Sequence, residues 1–142
     1  MGRGENKFKD KFMNKSRIRA LVATAYSDGF FDSRELHVIN TKAKDLGLSG
    51  EEILEIIRNP ENESILLPVT VEEKIQFMYD LMRVILADGK IEDNEKEIFY
   101  KYLKELDFNF SWFDDLFNTM VESVKNNDSV DTYRLNHFDD EI

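Results

Sequence analysis

"SDGFFDSRE" (residues 27–35) and "ADGKIEDNE" (residues 87–95) stand 60 residues apart, and their likeness decides how this chain is read. In each, an apolar helical stretch ends in Asp-Gly, and a glutamate follows six residues after the glycine. Offsetting the chain by 60 residues aligns 18–57 with 78–117 without a gap. Ile18, Leu21, Val22 and Ala25 then fall on Met78, Leu81, Met82 and Ile85, which is one helical face in both copies. Val38, Ile39, Ala43 and Leu46 fall on Ile98, Phe99, Leu103 and Leu106, and Ile53, Ile56 and Ile57 on Phe113, Leu116 and Phe117. Each copy reads as three amphipathic helices, and neither buries its apolar faces alone.

Start signals place the helices at 15–28, 33–46, 50–58, 71–87, 93–106 and 112–125. Ser49 with Glu52 and Thr70 with Glu73 are capping boxes, Asp32 with Glu35 is the aspartate version, and Ser111 with Asp114 a shorter one. Both prolines lie in "NPENESILLPV" (59–69), which joins the halves. No segment alternates polar and apolar residues convincingly, so strands are not expected. The expected fold is a single all-α bundle of two pseudo-symmetric repeats. A basic arm (1–14) precedes its helical domain (15–125), and an acidic tail (126–142), mobile at its end, follows.

With 142 residues, 42% of them apolar and 34% charged, the chain suits one globular domain. The absence of cysteine excludes disulfides, thiolate chemistry and iron–sulfur clusters, and two histidines leave little for zinc. No apolar run reaches membrane-spanning length, and no signal-peptide core is visible, so a cytoplasmic location is expected. The net charge of −10 is uneven: residues 1–19 carry +5, leaving −15 for the rest. An acidic body does not suit nucleic-acid binding, which relies on neutralising phosphates.

The Asp-Gly stretches invite a calcium-loop reading, which fails on position. A loop ending at Glu95 needs oxygen ligands at Val84 and Leu86, and neither side chain has one. Helix-corner chemistry explains more. Gly29 and Gly89 suit a left-handed residue after a helix, Asp32 and Glu92 stand at the next N-cap, and Glu35 and Glu95 at N3. Asp28 and Asp88 stand at helix C-termini, where the dipole disfavours an anion. They call for a compensating partner: an Asx-type bond, a cation or a metal. A metal version would combine Asp28, Asp32 and Glu35, or Asp88, Glu92 (or Asp93) and Glu95. All-oxygen donors point to Mg²⁺, Ca²⁺ or Mn²⁺.

The repeated Asp-Gly corner with its following glutamate resembles the TerB-like family, named for a tellurite-resistance protein and shared with the N-terminal domain of DjlA-type co-chaperones. The resemblance spans about 16–125. It implies a bundle of about seven helices with acidic residues near the Asp-Gly turns, and metal binding at Asp28, Glu35, Asp88 and Glu95. There is no J-domain, so a co-chaperone role does not follow.

Three further stretches complete the reading. Asp80 with Arg83 reads as a surface ion pair on a polar stripe, and His37 as an exposed helix residue. "FKDKFMNKSR" (8–17) sets Phe8, Phe12 and Met13 among lysines; it folds back on the acidic body or, within 7–17, touches an anionic membrane. "NFSWFDDLFNTM" (109–120) is aromatic-rich, and Trp112, in register with Glu52, is the candidate partner-contact residue. The preferred function is a non-catalytic module that binds a protein partner, in a stress-response or membrane-associated assembly; a homodimer fits as well. A divalent-metal module is the alternative. A metal-dependent hydrolase ranks last, because no base–nucleophile pairing is visible.

Overall fold

The computed structural model describes residues 3–26, 32–59 and 66–138, with side chains from Lys11 onward. Seven α-helices occupy the described residues: α1 (Arg3–Ala25), α2 (Ser33–Asp45), α3 (Gly50–Arg58), α4 (Val71–Ile85), α5 (Asp93–Glu105), α6 (Phe113–Lys125) and α7 (Val130–Phe138). A 3-10 turn, Phe110–Trp112, leads into α6, and no strand occurs among the described residues. The all-helical expectation holds. At the 60-residue offset, α2 and α5 keep matching bounds, and α1 and α4 end in register at Ala25 and Ile85.

α4 is the axis of the bundle. Ile75, Phe77, Met78, Tyr79, Leu81, Met82, Val84 and Ile85 are all buried, so this helix is apolar nearly all round and is enclosed accordingly. It packs against α1, α2, α5, α6 and α7, while α1 also covers α2 and α3. Phe99 meets Phe117 edge-on, ring centroids 5.3 Å apart, and Phe77 meets Tyr102 in the same way at 5.3 Å. Such pairs add directional preference to the area they bury.

The helix ends follow local chemistry. Asp32 accepts a hydrogen bond from the Arg34 backbone N–H at 2.7 Å, and Glu35 Oε1 accepts one from the Asp32 N–H at 3.0 Å. Ser49 and Glu52 close a reciprocal box at the start of α3, and the Thr70 hydroxyl accepts from the Glu73 N–H at the start of α4. Ser111 does not cap α6. Asn109 takes the bonds from Ser111 instead, because the 3-10 turn intervenes. Gly47, Asp107 and Asn127 follow α2, α5 and α6 with φ of +83°, +62° and +61°. Behind each, the next N–H returns to a carbonyl five residues back, the Schellman closure.

Four boundaries differ from the sequence expectation by more than a residue, the first being the end of α1 at Ala25 rather than at 28. α1 begins at Arg3 rather than near 15, since no Gly or Pro interrupts Glu5–Ala25 and its charged residues are good helix formers. α4 ends at Ile85 rather than at 87. α7 lies in the segment read as tail. Its Val130, Tyr133 and Phe138 are spread among polar residues, which hides the apolar face, yet Tyr133 is fully buried. Ser129 starts α7 by accepting from the Thr132 N–H at 3.1 Å.

Candidate functional site

The corner carboxylates come first. Glu35 and Glu95 are both buried at the N3 position, and each draws its cap residue's N–H to Oε1 at 3.0 Å, from Asp32 and Glu92 respectively. Asp32 also holds the Arg34 guanidinium at 3.0 and 3.1 Å. That bond holds its carboxyl below the usual carboxylate range and raises the guanidinium in turn. The charge of Asp88 adds a smaller contribution to the rise in Arg34. Its own anion is answered locally, for Oδ1 accepts the Lys90 N–H at 3.0 Å in an Asx turn, with Gly89 at φ +79° between them. Asp28 and Gly29 lie outside the described residues. Among the described residues, no three His, Asp or Glu side chains are grouped so as to hold an ion.

Asp80 is not the surface pair its sequence suggests. It is buried in α4, and both oxygens are engaged. Gln76 Nε2 donates to Oδ1 at 2.9 Å, Arg17 Nη2 to Oδ2 at 3.0 Å, Lys42 Nζ lies 3.3 Å from Oδ2, and Arg83 Nη1 lies 4.0 Å from Oδ1. Arg17 belongs to α1 and Lys42 to α2, so the decisive partners come from other helices, Arg17 63 positions away. An i, i+3 pairing with Arg83 was all that spacing could offer. His37 is exposed, as read, and stands beside this cluster on the wall of a pocket described below.

At the N-terminal half of α1, lysines turn onto the protein's own acidic surface. Lys11 and Lys15 approach the same oxygen of Glu52 at 3.1 and 3.2 Å. Glu52 is pushed down to about 2, first by the Ser49 backbone N–H in its capping box and then by these lysines. Asn14 caps the end of α2 by donating to the Leu46 carbonyl at 3.2 Å, and the Ser16 hydroxyl bonds the Leu66 backbone. Phe12 remains partly exposed. No helix among the described residues is long and apolar enough to cross a membrane.

Trp112 opens a different kind of surface. A groove of about 330 Å³ runs between α6 and α7, lined by Trp112, Asp115, Leu116, Thr119, Tyr133, His137 and Phe138. Leu116, Tyr133 and Phe138 are buried and form its base, while Trp112 is 40% exposed on one side. Tyr133 stacks obliquely on His137 with centroids 4.7 Å apart, and its hydroxyl pairs with that of Thr119 at 2.8 Å. Burial pushes the Tyr133 phenol up to about 12, so it stays a neutral hydrogen-bonding group. Phe110, which packs on Phe113 at 5.2 Å between ring centroids, is itself 83% exposed, and Leu135 of α7 is 65% exposed. Sequence reasoning found Trp112 through its register with Glu52. It missed Tyr133, His137 and Phe138, because α7 has so weak an apolar pattern.

No family model, curated protein or solved structure matches this chain.

Proposed function

We propose that this chain is a non-catalytic helical interaction module of TerB-like type that docks a basic, amphipathic helix of a partner protein between α6 and α7. The observation that carries this reading is the groove itself: a base of Leu116, Tyr133 and Phe138 with a half-exposed tryptophan at its side. Interfaces concentrate their energy in such tryptophan and tyrosine anchors. A helix laid in a groove uses anchors at i, i+3, i+4 and i+7, which suits the floor of Leu116, Tyr133 and Phe138. The partner's charge follows from the rim. Asp115 lines the groove, and the chain as a whole carries a net charge of −10. Opposite charge on the partner speeds encounter and selects orientation. The corner carboxylates support a non-catalytic reading, since Asp32, Glu35, Asp88 and Glu95 accept backbone N–H bonds at helix ends. A stress-response or membrane-associated assembly is the setting to which the sequence resemblance points.

Trp112 is the single tryptophan, so the groove carries its own probe. A lysine-rich amphipathic peptide with Leu and Phe anchors should shift its emission to the blue and saturate. The same peptide with glutamate in place of lysine should not. Unchanged emission with both peptides, up to the highest soluble concentration, would contradict the reading.

A further inference from the structure

We propose that the pocket bounded by α1, α2 and α4 is a binding site for a small anion, a phosphate or a carboxylate, held by the cations that surround Asp80. The site is separate from the α6–α7 groove and does not depend on its reading. Its cavity holds about 220 Å³, with Leu21 and Val38 as apolar floor and Thr41, Lys42 and Arg83 on its walls. That volume suits a phosphate or a short dicarboxylate and is below the usual range for larger ligands.

The argument is one of donors and acceptors. A carboxylate offers about four lone-pair positions, and Asp80 already meets Gln76, Arg17, Lys42 and Arg83. Gln76 and Arg17 hydrogen-bond it, Lys42 pairs with it at 3.3 Å, and Arg83 at 4.0 Å is held by charge alone. Lys42 has three N–H donors and each guanidinium has five, so three cations bring far more donors than one carboxylate accepts. Arg83 places one further nitrogen at 3.5 Å from the Asp128 carbonyl, a long contact that leaves capacity unspent. Charge runs the same way. Within the lining Lys42 and Arg83 balance Asp80 and the rim residue Asp45, and Arg17, bonded to Asp80 but outside the lining, adds one positive charge to the cluster. A buried carboxylate that gathers cations from three helices holds them pre-oriented, so an arriving anion finds its donors already in place. The apolar floor then takes whatever short carbon skeleton the anion carries.

The test is a titration of the whole chain with inorganic phosphate and with succinate, followed by backbone and side-chain NMR at constant ionic strength set by chloride. Matched ionic strength removes general screening as a cause. Saturable shifts at Thr41, Lys42 and Arg83 are expected with at least one anion, and Lys42→Gln or Arg83→Gln should weaken the response about ten-fold. Response to phosphate alone identifies a phosphate ligand, and response to succinate alone a carboxylate. Asp80→Asn provides a second measurement that survives partial loss of stability. With the counter-charge gone, either anion should raise the melting temperature of this variant by more than that of the parent chain. Shifts that stay linear, or are the same in Lys42→Gln, overturn the proposal, as does an equal anion effect on the melting temperatures of parent and Asp80→Asn chains.

Discussion

Glu52 and Trp112 occupy the same register in the two halves of the sequence, yet they do opposite things. Around Glu52 the first half is closed by charge: Lys11 and Lys15 reach across from α1, and Ser49 completes the box from below. The residues in register with those lysines are Val71 and Ile75, and there the second half presents Trp112 beside an open aromatic groove. Positions 60 residues apart thus stand on different surfaces, one closed by ion pairs and the other beside an open groove. The helices and their caps set the frame, while a few residues outside the core decide what each end can do.

The largest expected effect comes where the two halves are tied together. Asp80 joins α4 to Arg17 of α1 and Lys42 of α2, and Asp80→Ala leaves those partly buried cations without their counter-charge. Loss of one partner from such a cluster costs about 3–5 kcal/mol, which urea denaturation would resolve. An effect below about 1 kcal/mol would mean that the cluster is as weak as an exposed pair.

Next comes Trp112→Ala. Removing a central aromatic anchor should weaken partner binding by about 2 kcal/mol. Because Trp112 is 40% exposed, unfolding free energy should change by less than about 1 kcal/mol. Equal losses in both measurements would make Trp112 a core residue and erase the contrast with Glu52.

Glu52 itself gives the third test. Its folded pKa of about 2 lies below the ordinary value of 4.5, so the charged form is the stabilising one. This contribution is complete above the unfolded value and is lost as pH falls from there towards the folded value. After solvent screening it is on the order of 1 kcal/mol. Glu52→Gln should therefore lower stability at neutral pH and flatten its acid dependence below pH about 4.5. An unchanged acid limb would remove Glu52 from the account of how that end is closed.

How much of this was legible beforehand depends on the range of the interaction. Ser49 with Glu52 and Asp32 with Glu35 act within one turn, and the sequence shows them directly. The matching bounds of α2 and α5 follow from the same local signals. Asp80 was misread because Arg17 and Lys42 reach it only after α1 and α2 have packed on α4. α7 escaped because three apolar residues, Val130, Tyr133 and Phe138, support a helix that the neighbouring elements bury rather than one its own pattern announces. The missed groove residues are therefore those that need tertiary packing to acquire a face.

The smallest effect concerns the paired C-caps. Gly47 and Asp107 are in register, and both adopt a left-handed backbone. Asp107→Gly should raise stability by about 0.5 kcal/mol by relieving the Cβ penalty, as a small upward shift in melting temperature. No gain would indicate that the Asp107 side chain offsets its own strain.

Hydrogen exchange with the lysine-rich peptide present and absent tests the central contrast most directly. Slowed exchange should be confined to Phe110–Thr119 and Val130–Phe138, with α3 and the first half of α1 unchanged. Protection across Gly50–Arg58 instead, with α6 and α7 unaffected, would contradict the account.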